Sequence, residues 1–139
     1  MHTVFVYGTL KRGYPNAHIG MPRATYVGEY RTVEQYPLVI GGRWFVPNLL
    51  NELGVGFQVT GEVYKVDDTV LAELDQLEMV HLPNGYRRLE IAVEPIDVSA
   101  QPLGDVWTYL RERQDVDGIH DGPMETYPLD SRYVPGSAR

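Results

Sequence analysis

The stretch that decides the fold is Val4-Phe5-Val6-Tyr7-Gly8-Thr9-Leu10-Lys11-Arg12-Gly13. It begins with an apolar run typical of a buried strand, and after Tyr7 it continues as a short polar loop bounded by glycines. This pattern predicts a strand that delivers a backbone loop to the mouth of a site, where Gly8 lets a ligand approach the main chain closely. Taken alone, the segment fits a simple strand-to-loop turn equally well.

A second informative stretch, Leu71–Glu78, has the periodicity of an amphipathic helix. Residues 67–69 supply capping side chains and negative charge at its amino end. One face of the predicted helix carries Val70, Leu71, Leu74 and Leu77. The same periodicity places Glu78 beside the apolar edge at the carboxyl end, next to a predicted turn at His81–Gly85.

Glu78 is a candidate acid–base residue because of its neighbours, although a glutamate at a helix end is usually solvated. Asp75 is three residues away and shares a side of the helix. Tyr86 and Arg88 follow the turn, and Tyr109 of a later strand could add a phenol. The alternative for the two tyrosines is packing in a barrel core with a solvated hydroxyl.

The remaining pattern predicts one domain over residues 1–139, of the α+β class, built as a small antiparallel or mixed β-barrel with flanking helices. The predicted strands are Thr3–Tyr7, Tyr26–Val33, Leu38–Ile40, Phe57–Val66, Arg87–Val93 and Val106–Leu110. A shorter helix is predicted at Asn16–Met21, and the segment from Asp115 onward is predicted as loop.

Composition narrows the class of function. The net charge of −7 and the absence of a basic cluster argue against a nucleic-acid partner. No apolar run approaches the ~18 residues that span a bilayer, and no signal sequence is evident at the start, so the expected location is the cytoplasm. The chain has no cysteine, which excludes a disulfide scaffold, a thiolate nucleophile and cysteine-ligated zinc.

Several familiar catalytic motifs are incomplete. The loop at Gly8–Gly13 nearly matches the phosphate-binding pattern G-x-x-x-x-G-K-[ST], but Tyr14 and Pro15 occupy the lysine and hydroxyl positions. The four histidines have no metal-ligand spacing, and no G-x-S-x-G elbow is present. We therefore expect neither a metal nor a cofactor.

The combination of Tyr7-Gly8-Thr9-Leu10 with Leu74-Asp75-Gln76-Leu77-Glu78 and Tyr86-Arg87-Arg88 resembles the γ-glutamylcyclotransferase-like superfamily. Further stretches are similar to its γ-glutamylamine cyclotransferase branch: Lys11–Asn16, Tyr36–Ile40, Val46–Leu50, Gly61–Tyr64 and Asp130–Pro135. The resemblance implies a small mixed β-barrel that releases 5-oxoproline from a γ-glutamyl amide. It also implies that Tyr7, Gly8, Thr9 and Leu10 bind the substrate and that Glu78 is the acid–base residue. Tyr86, after the predicted turn, and Tyr109, in the last predicted strand, are further candidate substrate-binding residues by their positions.

The chemistry of such a substrate agrees with this residue set. The nucleophile is the substrate's own α-amine, so the protein has to fold the substrate and move protons. N–H groups of Gly8, Thr9 and Leu10 could fix either the substrate carboxylate or the developing oxyanion. Two alternatives are a binding module without activity and a cyclotransferase acting on glutathione or γ-glutamyl amino acids. The oligomeric state is open.

The preference for one leaving group over another depends on the outer pocket. An apolar exit channel is predicted from Tyr36, Pro37, Trp44, Phe45 and Val46. Such a channel disfavours a carboxylate on the leaving amine. Arg43 or Arg88 could reverse that preference.

Overall fold

The first strand, β1 (His2–Val6), sends alternate side chains into two hydrophobic cores. Phe5 belongs to the first core, and Val4 and Val6 belong to the second core. This alternation follows from the two-residue period of a strand. The computed structural model describes residues 1–139. Its other elements are β2 (Thr25–Thr32), β3 (Leu38–Gly41), β4 (Val46–Leu50), β5 (Thr60–Val66), α1 (Asp68–Leu77), β6 (Arg87–Pro95), β7 (Gly104–Arg111) and β8 (Ile119–Met124), with 3₁₀-helices at Met21–Arg23, Arg113–Asp115 and Gly136–Ala138.

Five strands close into a barrel in the order β1-β5-β2-β6-β7. The closing contact is parallel and pairs Val4 with Trp107, whereas the other neighbours in the barrel are antiparallel. The sheet continues beyond the barrel because β4 pairs in parallel with the end of β7, at Leu49 with Leu110. Strands β3 and β8 then follow β4. The predicted mixed barrel with helical cover is confirmed.

Helix α1 covers one outer face of the barrel. Asp67 caps its amino end by accepting a hydrogen bond from the Val70 N–H at 2.8 Å. Val70, Leu71 and Leu74 are buried in the second core. Met79 follows the helix with φ 55°, the left-handed conformation that commonly ends helices. At ten residues, α1 is the longest helix, and no helix is long and apolar enough to cross a bilayer.

Two predicted elements are wrong. Asn16–Met21 forms turns rather than a helix, and the only helical residues nearby are the 3₁₀ turn at Met21–Arg23. The segment from Asp115 onward contains strand β8, which pairs with β3. Strand β4 is absent from the sequence prediction, and β5 begins at Thr60 rather than at Phe57.

The loop after β1 is fastened to a distant part of the chain. The Lys11 ammonium and the Tyr14 hydroxyl both donate to the backbone oxygen of Tyr127, at 3.0 and 3.2 Å. The Asn16 amide group lies 2.9 Å from Thr9 Oγ1 and 2.8 Å from the Tyr133 hydroxyl. These contacts fix a glycine-containing loop that would otherwise have many conformations.

Candidate active site

A cavity of about 340 Å³ opens where the loop after β1, the end of α1, the turn between β3 and β4, and the end of β7 meet. All seven residues predicted for the site lie in its wall: Tyr7, Gly8, Thr9, Leu10, Glu78, Tyr86 and Tyr109. Segments far apart in sequence therefore converge on one concave surface. That convergence is expected of a small-molecule site.

The loop after β1 presents unused hydrogen-bond donors. The N–H groups of Gly8, Thr9 and Leu10 donate to no acceptor within the protein. The carbonyls of Gly8 and Thr9 are occupied, since they accept from Lys11 at 3.1 Å and from Asn16 at 2.8 Å. Buried backbone donors are rarely left unpaired, so these three N–H groups are suited to a ligand with negatively charged oxygens.

Gly8 is required for a reason that differs from the sequence-based one. Its φ lies outside the left-handed region, so its backbone conformation does not demand glycine. A Cβ at this position would lie 2.7 Å from Cγ of Pro47 in β4. Glycine therefore allows the loop to pack directly against β4, which holds the N–H groups at the cavity wall.

Glu78 stands at the carboxyl end of α1. Its N–H donates to the Leu74 carbonyl at 3.0 Å, and its own carbonyl accepts from Tyr86 at 3.1 Å. Burial raises the pKa of the Glu78 carboxyl to about 7, and the positive charges of Arg111 and Arg139 limit that rise. A carboxyl group with this pKa both accepts and donates a proton near neutral pH.

The three tyrosine hydroxyls are committed to protein acceptors. The Tyr7 hydroxyl donates to the Tyr109 carbonyl at 2.6 Å, and the Tyr86 hydroxyl donates to the Pro47 carbonyl at 2.7 Å. The Tyr109 hydroxyl donates to Asp75 Oδ1 at 2.7 Å. Burial raises the pKa of all three phenols, so they remain neutral. They shape the cavity wall as rings and fixed dipoles.

Asp75 does not join Glu78 in the cavity. Its Oδ1 accepts a hydrogen bond from the Tyr109 hydroxyl and forms an ion pair with Arg88, whose Nε lies 2.9 Å away. Arg88 also stacks over Trp107, with 4.4 Å to the ring centroid. Neither Asp75 nor Arg88 lines the cavity.

The outer part of the cavity is more polar than the sequence predicts. Trp44 and Val46 line it, whereas Tyr36, Pro37 and Phe45 do not. Tyr36 packs in the first core and Phe45 stacks on His120, with 4.2 Å between the ring centroids. Charged residues take their place at the mouth: Arg43, Asp115, Asp117 and Arg139.

Sequence reasoning also missed Arg111, Asn16 and Tyr133, which line the same cavity. Arg111 is the last residue of β7, directly after the predicted strand, and this position is the signal that could have identified it. No group of three or more His, Asp or Glu side chains is arranged to hold a metal ion.

Comparisons with known proteins point in one direction. The family model described as gamma-glutamyl cyclotransferase, AIG2-like, matches residues 4–128. A gamma-glutamylaminecyclotransferase of Bos taurus is 46% identical over 99 residues, which are 67% of this chain and 58% of that protein. The gamma-glutamylaminecyclotransferase B of Danio rerio is 36% identical over 132 residues, 91% of this chain and 68% of that protein. The crystal structure of an AIG2-like protein from Mus musculus matches with a TM-score of 0.80 and 32% identity, covering 100% of this chain and 99% of the other.

Proposed function

The chain belongs to the gamma-glutamyl cyclotransferase, AIG2-like family, and we propose that it releases 5-oxoproline and a free amine from γ-glutamyl amines, with Glu78 as the general acid and base. The relatives named gamma-glutamylaminecyclotransferase, at 36% and 46% identity, support this activity.

One observation carries the proposal. A carboxyl group with a pKa of about 7 shares a cavity with three backbone N–H groups that have no partner in the protein. The first group can move protons and the others can hold anionic oxygens. This reaction requires both functions, and it requires no nucleophile from the protein.

The reaction balances with Glu78 as the only proton carrier. The substrate α-ammonium gives a proton to the Glu78 carboxylate, and the resulting amine attacks the γ-carbonyl carbon. The new ring C–N bond forms, and the amide C–N bond breaks once the leaving nitrogen has received a proton from Glu78. A second proton follows the same path from the ring nitrogen to the leaving amine, so no water is consumed. The attack is intramolecular because the amine and the γ-carbonyl belong to one substrate. Holding the γ-glutamyl part of the substrate in a folded conformation orients the two groups, which is worth on the order of 7–11 kcal/mol.

The N–H groups of Gly8, Thr9 and Leu10 are the proposed anchor for the γ-glutamyl part. Its α-carboxylate and the oxyanion formed at the γ-carbon are both negatively charged oxygens, and the donors suit either of them. Tyr7, Tyr86 and Tyr109 form the surrounding wall. In this role their rings limit the conformations of the substrate and exclude water.

The charged mouth is the proposed site of the leaving group. Arg43 and Arg139 lie over the Trp44 ring, 4.9 and 4.7 Å from its centroid, and Asp115 and Asp117 line the same region. We expect this mixture of charges to accept a leaving amine whose own charged groups lie several bonds from the scissile nitrogen, as in the ε-amide of lysine. Glutathione, with a branched carbon next to that nitrogen, is the disfavoured alternative.

The test is direct. The purified protein is incubated with γ-glutamyl-ε-lysine, a γ-glutamyl α-amino acid and glutathione, and 5-oxoproline is measured. Glu78→Gln is expected to be inactive, and Glu73→Gln, which changes an ion-paired glutamate on the same helix, is the matched control. No release from any substrate by the wild type would favour a binding module without activity. The cytoplasmic location remains a prediction, to be checked by fractionation.

A further inference from the structure

Arg111 stands apart from most arginines of the chain because it has no carboxylate partner. Seven arginines form ion pairs with a carboxylate: Arg12, Arg23, Arg31, Arg87, Arg88, Arg113 and Arg132. Arg43, Arg111 and Arg139 form none, and all three line the cavity. Arg43 and Arg139 are exposed at the mouth, whereas Arg111 is partly buried.

The Arg111 guanidinium is held in place by neutral acceptors. Its Nη1 donates to Asn48 Oδ1 at 3.2 Å and its Nη2 donates to the Asn84 carbonyl at 3.1 Å. Its Nε is buried and has no acceptor. Withdrawing a guanidinium from water without a counterion is costly, so a fixed charge of this kind calls for a specific role.

The acceptors of Arg111 belong to the segments that surround Glu78. Asn84 lies in the turn that leads from Glu78 to Tyr86, and the Tyr86 N–H donates to the Glu78 carbonyl. The guanidinium carbon lies 5.2 Å from the centroid of the Tyr86 ring. Arg111 itself is fixed by the pairing of its strand with β4, at Leu50. Arg111 therefore connects the segment of residues 78–86, which is the corner that carries Glu78, to the sheet.

From this arrangement, and on the basis of the function proposed above, we infer that Arg111 is a positioning residue: it fixes the corner that carries Glu78 and supplies the positive charge that stabilises Glu78 in its carboxylate form. In each turnover Glu78 alternates between a carboxylate and a neutral acid. Burial alone favours the neutral acid, and a neighbouring fixed cation restores the balance. Without the charge of Arg111, the Glu78 carboxyl holds its proton too tightly to act as a base at neutral pH.

Other charged or titratable groups line the same cavity as Glu78. The cavity wall contains Arg43 from the turn between β3 and β4, Asp115 and Asp117 from the segment after β7, and Arg139 from the last residues. It also contains the phenols of Tyr7, Tyr86, Tyr109 and Tyr133. Burial raises the pKa of the Tyr7, Tyr86 and Tyr109 phenols, so these three stay neutral in the working range. Arg139 is the other cation that favours the Glu78 carboxylate, and its exposure to solvent screens its charge more than that of Arg111.

The experiment compares pH profiles of kcat/KM. Arg111→Met removes the charge, and we expect the pH midpoint of its profile to rise by about one unit, within the range for loss of a nearby opposite charge. Arg111→Lys keeps the charge without the paired hydrogen bonds, so its midpoint should stay near that of the wild type while kcat falls. Arg113→Met is the matched control, because Arg113 lies two residues away and pairs with Glu52 outside the cavity.

A second variant and a second measurement keep the inference testable if Arg111→Met fails to fold. Asn48→Asp gives Arg111 a carboxylate partner, and it should raise the midpoint as well. Titration of the Glu78 carboxyl by carbon-13 NMR, with Glu78→Gln identifying its signal, gives the same midpoint without substrate. Equal midpoints in the wild type and the folded variants would overturn the inference. A shifted midpoint in a protein that releases no 5-oxoproline would instead overturn the proposed function.

Discussion

Replacing Glu78 with glutamine is expected to remove most of the turnover and to stabilise the fold, and the size of the second effect depends on pH. The pKa of the carboxyl is raised from 4.5 to about 7 by burial. The folded state therefore binds this proton more tightly than the unfolded state does. The free energy of unfolding therefore falls as the pH rises from about 4.5 to about 7, and the full loss is present above that range.

The magnitude follows from the pKa difference. About 2.5 units at 1.36 kcal/mol each give at most about 3 kcal/mol of destabilisation in the wild type at pH 8. Glutamine has nearly the same shape and no charge, so Glu78→Gln should recover most of this free energy. In a chain of this length, the recovery corresponds to a rise of about 10 °C in Tm.

The assay is thermal and urea unfolding of both proteins at pH 4 and pH 8. The variant should be more stable at pH 8 and should match the wild type at pH 4, where both side chains are neutral. Glu73→Gln, which loses its ion pair with Arg23, serves as the comparison at both pH values. A stability difference that does not change with pH, or a variant that is less stable at pH 8, would refute the assignment of a partly buried carboxyl group with a raised pKa. The same variant should lose roughly 10²–10⁴-fold in kcat, the usual contribution of general acid–base catalysis.

Four further predictions concern catalysis. The kcat/KM of the wild type should rise with pH through a midpoint near 7. The midpoint of the kcat profile should be lower, because the bound α-ammonium of the substrate favours the Glu78 carboxylate. A kcat/KM profile that is flat between pH 5 and 9 would contradict this prediction. Gly8→Val should raise KM and lower stability, since its Cβ would lie 2.7 Å from Cγ of Pro47. Normal binding and turnover in this variant would show that the loop is a turn without a role in substrate binding. Activity should survive EDTA and thiol-alkylating reagents, and loss on chelation with recovery on adding zinc would exclude the single-carboxylate mechanism. Finally, kcat/KM should be higher for γ-glutamyl-ε-lysine than for glutathione. The opposite order would contradict the proposed γ-glutamylamine cyclotransferase activity without affecting the fold or the proposed role of Glu78.

Local patterns predicted the parts of the molecule that local interactions determine. The run before Gly8 alternates between two cores, and the cap and apolar face of α1 place Glu78 at the helix end. Strand β4 escaped prediction because it contains Pro47 and Asn48, which locally favour a loop. It forms because β3 and β7 pair with it on either side.

Long-range partners explain the other errors. Strand β8 is exposed, polar and interrupted by Gly122, and only its register with β3 makes it a strand. The sequence predicts an apolar cavity mouth because Phe45 is next to Trp44. In the structure, the Phe45 ring stacks on His120 and does not line the cavity. The unpaired charge of Arg111 depends on which carboxylates lie near it in space. A single sequence contains no such information.

The fastening of the loop after β1 has a consequence for the kinetics of folding. Lys11 reaches across 116 residues to the Tyr127 carbonyl, and Asn16 reaches across 117 residues to the Tyr133 hydroxyl. Contacts at such separation close large loops, which is slow and contributes to stability only after much of the chain has collapsed. We therefore expect the donor loop to acquire its working shape late, after the barrel has formed. A chain whose barrel has closed through β7, and whose Arg111 is therefore in place, would position Glu78 before its donor loop could bind a substrate.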